Sequence, residues 1–248
     1  MPSIHPSPSS LEHEHTPDAI RRRLEEGPRT SYLRDWIYGG IDGAVTTFAI
    51  VAGSEGADLS AKVVVILGMA NLLADGFSMA AGNYSGTRAE RDERDHWRRV
   101  EQRHIAVDPA GEREEVRQIF RQKGLEGEAL EQVVEAITSD RERWVDTMLS
   151  EEYGLASDLR SPMGAAWTTF SAFLICGAVP ILPFLFGWTE AFTISIVATG
   201  CVFFAIGCGR SRWSVSPWWQ AGLSTFALGS TAALLSWGVG RWLSAWLG

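Results

Sequence analysis

Long apolar runs alternate along this chain with one block that has almost none. The first run extends from Trp36 to roughly Gly56, and Asp42 is the only charge well inside it. A short turn marked by Asp58 and Lys62 follows. The second run goes from Val63 to about Tyr84 and is interrupted by Asp75. Each is near the ~20 residues that a helix needs to cross hydrocarbon. Three more come later. About Ala165 to Trp188 contains Pro180 and Pro183, which predict a kink. Phe192 to Gly207 is somewhat short, and Trp218 to about Trp246 is long enough to tilt. The pattern predicts an all-α membrane protein with five transmembrane helices.

The block without long apolar runs covers residues 87–160 and holds 13 basic and 19 acidic residues. It reads as helical throughout. The second span has no breaker through Glu90 to about Ile105. Asp108 and Pro109 then start a helix that stops at Gly124. Another covers about Glu128 to Thr138. Ser139 and Glu142 have capping-box spacing for a last one ending near Gly154. A soluble helical domain is thus inserted between spans two and three. Four regions result: a tail (1–30), spans one and two (31–86), the insert (87–160) and spans three to five (161–248).

The tail is rich in Pro, Ser and His and has no signal-peptide core. It is expected to be mostly disordered, with one short helix capped by Thr16, begun by Pro17 and ended by Gly27. His5, His13 and His15 alternate with Glu12 and Glu14, a weak metal-binding pattern set against a plain solvated tail.

Two stripes run through the second span. Ala70, Ala74, Ser78, Gly82 and Gly86 form a small-residue stripe, and Asn71, Asp75, Met79 and Asn83 a polar one beside it. Residues four apart share a helix face. The first stripe would let another helix approach closely. The second carries groups able to bind a cation.

Composition adds three points. Eleven tryptophans, several near the ends of apolar runs, suit a membrane interface. Cys176, Cys201 and Cys208 lie in apolar runs without zinc-type spacing and read as packing residues. A net charge of −8 argues against nucleic acid as partner. Arg21, Arg22, Arg23, Arg29 and Arg34 precede span one, and Arg210 and Arg212 lie between spans four and five. Basic residues collect on the cytoplasmic side. The N-terminus and the insert are therefore expected in the cytoplasm, and the C-terminus outside.

A carboxylate inside a bilayer costs several kcal/mol unless it faces protein or water. Asp42, flanked by Gly39, Gly40 and Gly43, and Asp75 are accordingly candidates for an ion path, together with Asn71 and Met79. A structural hydrogen bond is the competing account of both carboxylates, and core filling that of Met79. In the insert, Glu112 and Glu115 share a face, as do Glu101 and His104, and Met148, Glu151 and Glu152. A merely solvated surface competes for each pair. Oxygen donors with occasional imidazole and thioether, and no thiolate, suit ferrous iron or manganese.

The segments DGAVTTFAIVAG (42–53) and ADGFSMAAGNYSGTRAE (74–90) resemble the vacuolar iron transporter family, which includes bacterial members. EREEVRQIFRQKGL (112–125) and DRERWVDTMLSEE (140–152) resemble that family's cytoplasmic metal-binding domain. The resemblance covers about residues 32–248. It implies a homodimer of five-span subunits that exports ferrous iron, and often other divalent metals, from the cytosol in exchange for protons. It places Asp42 and Met79 in the ion path, and Glu101, Glu112, Glu115, Met148 and Glu152 among metal ligands. His104 stands where a glutamate is usual, and Leu149 where a second methionine can occur. Asn71 stands where iron transporters of the family carry a glutamate. An amide can coordinate a metal but cannot take up a proton, and Asp75 is one turn away on the same face.

The expectation is a divalent-metal exporter in a bacterial inner membrane, with metal as substrate and no tightly bound cofactor. A non-transporting membrane metal sensor or buffer is the alternative. An enzyme is not expected: the insert has no nucleophile–base pattern, phosphate loop or cofactor signature. Its two Glu-x-x-His spacings, at Glu93–His96 and Glu101–His104, share one helix, whereas a di-iron bundle needs them on separate helices.

Overall fold

The computed structural model describes residues 14–27, 30–155, 160–211 and 217–247. His5, Glu12 and His13 of the tail, and Arg29 and Arg212 of the charge pattern, lie outside the described residues. All regular elements among the described residues are helical. Residues 1–31 form one unit and residues 32–248 another.

The first unit contains α1 (Pro17–Glu26). Its predicted signals operate as expected. The Thr16 hydroxyl accepts a hydrogen bond from the Ala19 N–H at 3.3 Å, Pro17 opens the helix, and Gly27 ends it at φ 68°.

The second unit is built on α2 (Leu33–Gly56) and α3 (Ala61–Val107). Helix α3 has 47 residues, which makes it about 70 Å long at 1.5 Å per residue. It runs unbroken from the apolar second span through the charged region, as its sequence predicts. It stops where the side chain of Asp108 caps the next helix by accepting the Gly111 N–H at 3.0 Å.

The far half of α3 joins α4 (Pro109–Gln122), α5 (Gly127–Thr138) and α6 (Arg141–Glu151) around a shared core. Val116, Leu130, Val134, Trp144, Val145, Met148 and Leu149 meet Ile105 of α3 there. Gly124 turns the chain after α4 at φ 91°, where a side chain would be strained. The start of α6 differs from the expected capping box. The Ser139 N–H closes α5 on the Glu135 carbonyl at 3.0 Å, and its hydroxyl donates to the Ala136 carbonyl. Asp140 is therefore the cap of α6, accepting the Arg143 N–H at 2.8 Å.

Helices α7 (Pro162–Ala178), α9 (Ala191–Arg210) and α10 (Trp218–Leu247) complete the unit. The expected kink in the third apolar run is instead an end. Helix α7 stops at Ala178, a turn follows, and Pro183 opens the single turn of α8 (Leu182–Leu185). Proline has no N–H to continue the ladder, so two prolines three apart terminate the helix. By length and composition three helices among the described residues can cross a membrane: α3, α9 and α10. Helix α2 has 24 residues but carries Arg34, Asp35 and Asp42, and α7 has 17.

Helix α2 packs most extensively on α7 and also on α10, α3 and α9. Glycines make the α2–α7 contact possible. A Cβ on Gly39 or Gly43 would collide with the carbonyl oxygens of Thr169 and Phe173. In α3 the buried stripe is Val64, Gly68, Leu72, Gly76 and Ala80. The neighbouring small stripe of Ala70, Ala74, Ser78, Gly82 and Gly86 is exposed.

Candidate metal site and membrane path

Helix α3 delivers Glu101 and His104 to the insert from one face, and the first turn of α4 brings Glu112 opposite them. His104 Nδ1 lies 3.3 Å from a Glu112 oxygen and 3.7 Å from a Glu101 oxygen. One donor atom from each of the three lies within 4.8 Å of the others. Donors gathered this closely suit a single ion with ligand bonds a little over 2 Å.

Burial sharpens the case. Glu101 is fully buried and Glu112 is 6% exposed. Each has one carboxylate oxygen that is buried and accepts no hydrogen bond, Oε2 in both. Such atoms carry a desolvation cost unless something satisfies them. The other Glu101 oxygen accepts the Tyr153 hydroxyl at 2.8 Å. Tyr153 stacks on Trp97 of α3, with ring centroids 4.4 Å apart.

The charges respond to this crowding. Glu112 is pushed up to about 8, first by burial and then by the charges of Glu101, Glu115 and Glu152. Glu152 is raised by burial and by Glu101 and Glu115. Burial and the hydrogen bond to Glu101 raise Tyr153 as well. Carboxylate charges crowded on Glu112 and Glu152 in this way are an arrangement that a divalent cation relieves.

The remaining predicted ligands divide. Glu115 and Glu152 line a shallow hollow of about 240 Å³ beside Glu114 and Gln118. Met148 is fully buried in the core of the insert. Glu151 forms an ion pair with Lys123, which occupies its carboxylate.

In the bundle, Asp42 and Met79 line one cavity of about 600 Å³ with Tyr38 and Arg210. Asn71 and Asp75 do not line it. Asn71 donates to the Thr46 hydroxyl at 3.5 Å, and Thr46 bonds back to the Asp42 carbonyl at 2.9 Å. Asn71 thereby links α3 to α2 one turn from Asp42. Asp75 is exposed on α3.

Sequence reasoning missed a polar junction at the start of α2 and α7. Asp35, 2% exposed, accepts bonds from Asn83 at 2.9 Å and Arg160 at 2.6 Å. Asn83 also donates to the Thr169 hydroxyl at 2.7 Å. Asn83 was visible on the polar stripe, but only the folded chain shows that it faces Asp35. Tyr153 was missed too, because a tyrosine after an acidic run carries no periodic signal.

The family model described as VIT family matches residues 33–241. Vacuolar iron transporter 1 of Arabidopsis thaliana is 29% identical over 234 residues, covering 93% of this chain and 91% of that protein. Vacuolar iron transporter 1 of Oryza sativa is 28% identical, covering 97% and 94%. Vacuolar iron transporter of Toxoplasma gondii is 34% identical over 172 residues, covering 68% and 57%. The match takes in both the helices that hold Asp42 and Met79 and the insert that gathers Glu101, His104 and Glu112, and the chain belongs to the VIT family.

Proposed function

We propose that this protein is a membrane transporter that moves divalent metal, ferrous iron first and manganese second, out of the cytosol by exchange with protons. One observation carries the reading. Two buried glutamates and a half-buried histidine, with two unsatisfied carboxylate oxygens, form one group; Glu101 and His104 of it lie on the same helix that carries Met79 into the apolar bundle beside Asp42, and Glu112 comes from α4. The relatives' names, vacuolar iron transporter, support iron as the substrate.

The roles follow from the donors. Glu101, His104 and Glu112 capture the ion in the cytoplasmic insert, with Glu115 and Glu152 at its rim. Asp42 and Met79 receive it in the membrane. Glu112, held protonated to about pH 8, gives up a proton as metal binds. The bundle crosses five times, with α2 and the α7–α8 segment joining the three long apolar helices. The exposed small-residue stripe of α3 is where a second copy packs, and Asp75 beside it then faces the dimer seam.

Flux into proteoliposomes tests the reading. Iron or manganese should move under a pH gradient and stop with Asp42→Ala. No flux in the unaltered protein would overturn transport; full flux in Asp42→Ala would overturn the site assignment. A metal sensor or buffer is the second reading, and Asn71 favours it. Its amide is engaged with Thr46 and cannot ionise. Metal binding with zero flux is the outcome that reading requires.

A further inference from the structure

The face of α3 that carries Met79 continues through Asn83, Thr87, Glu90, Arg94 and Glu101. These residues are three, four or seven apart, so they form one stripe. Glu101 and Met79 stand about 33 Å apart along it at 1.5 Å per residue. An ion released by the insert must cover that distance to reach Asp42.

A second cavity, of about 410 Å³, lies partway along the stripe. Asp35, Met79, Asn83, Thr87, Glu90 and Arg160 line it, with Arg34 also present. Met79 belongs to this cavity and to the one that holds Asp42. Two of the lining residues carry a buried oxygen with no hydrogen-bond partner: Oδ2 of Asp35 and the hydroxyl of Thr87. Both residues are 2% exposed. Two unsatisfied oxygens on residues lining one polar cavity are costly unless a ligand meets them.

The geometry points to a third cation site here, a way-station for a divalent metal between the insert and the membrane path. This inference rests on the transport reading for its purpose but not for its existence. Asp35 and Thr87 supply the inner ligands, the Glu90 carboxylate the outer one and Met79 the exit. Oxygen donors with one thioether match the donor chemistry of a borderline divalent ion.

Arg160 is the regulating element. Its guanidinium pairs with Asp35 at 2.6 Å and stands 3.7 Å from Glu90. A divalent ion carries twice its charge and competes for the same two carboxylates. Entry of the ion therefore loosens Arg160 from Asp35. Arg160 is two residues before α7, at the end of the chain returning from the insert. Occupancy of the way-station is in this way linked to the junction between insert and bundle.

Manganese binding to the full chain in detergent, counted by loss of the free-ion EPR signal, tests the site. The background variant carries Asp42→Asn, Glu101→Gln, Glu112→Gln and Glu152→Gln. It should retain one bound manganese per chain. Adding Asp35→Asn or Glu90→Gln should abolish that binding, and Arg160→Gln should tighten it. Glu90 is half-exposed, so its variant tests the site without disturbing the core. No manganese on a folded background variant would overturn the site, as would residual binding indifferent to both carboxylate changes. Weaker binding in Arg160→Gln would overturn the competition with Arg160. Absence of flux in the unaltered protein removes the transport reading and leaves this binding result standing.

Discussion

At the level of single residues, Tyr153 is a positioning residue for the proposed metal group in the insert. Tyr153 is locked by stacking on Trp97 and fixes one oxygen of Glu101. The same oxygen is the one nearest His104, and Oε2 is left buried without a partner. Removing such an outer partner typically costs about 10- to 100-fold in metal affinity. Tyr153→Phe should do so in a manganese titration while leaving the helical signal unchanged. Glu112 sets the pH dependence. Its folded carboxyl is raised to about 8 from an ordinary 4.5, so the folded metal-free chain binds an extra proton between those values. Stability from this group is full below about pH 4.5 and lost as pH rises through about 8. Metal binding runs the opposite way, because the ion displaces the proton. Affinity should climb from pH 6 to 8 and level off above, and Glu112→Gln should flatten the profile.

Among elements, the signals that operate are local ones. Thr16–Pro17, Asp108–Pro109 and the unbroken run of α3 could be read directly, since caps and breakers act within one turn. The start of α6 could not. Ser139 and Asp140 are both good caps, and the choice depends on how α5 ends. Asp140→Ala should destabilise the insert by about 1 kcal/mol, measured by thermal melting, and Ser139→Ala by much less. The end of α7 is set beyond the local sequence for a related reason. A proline pair is compatible with a kinked or a finished helix, and packing decides. Glycines gave better guidance. Gly39 and Gly43 flank Asp42, and the structure shows α7 pressed against them. Gly43→Ala should lower stability by at least about 1–3 kcal/mol, the usual range for overpacking, seen as a lower melting temperature in detergent.

For the whole molecule, the two stripes of α3 raise a question that one chain leaves open. The buried stripe of Gly68, Leu72, Gly76 and Ala80 meets α7 and α8. The stripe next to it is just as small but exposed among the described residues: a Cβ on Gly82 or Gly86 would meet none of their atoms within 4 Å. Its periodicity was plain in the sequence, but which stripe serves the chain's own fold was not, because both satisfy the same spacing. Small residues in an apolar segment permit close backbone approach, and in lipid that packing drives association. Phe77 and Leu73 beside them are also exposed, consistent with contact to lipid or to a second copy. A dimer built on this stripe places Asp75 at the seam and brings two copies of the Asp42–Met79 cavity toward a common axis. Single cysteines should decide it, in a background where Cys176, Cys201 and Cys208 are replaced by serine or alanine. Ser78→Cys and Gly82→Cys should cross-link between chains in membranes on mild oxidation, and Leu234→Cys on exposed α10 should not. Cross-linking through α10 but not through α3 would place the subunit contact elsewhere and return Asp75 to the lipid-facing surface, where an ionised carboxylate is costly.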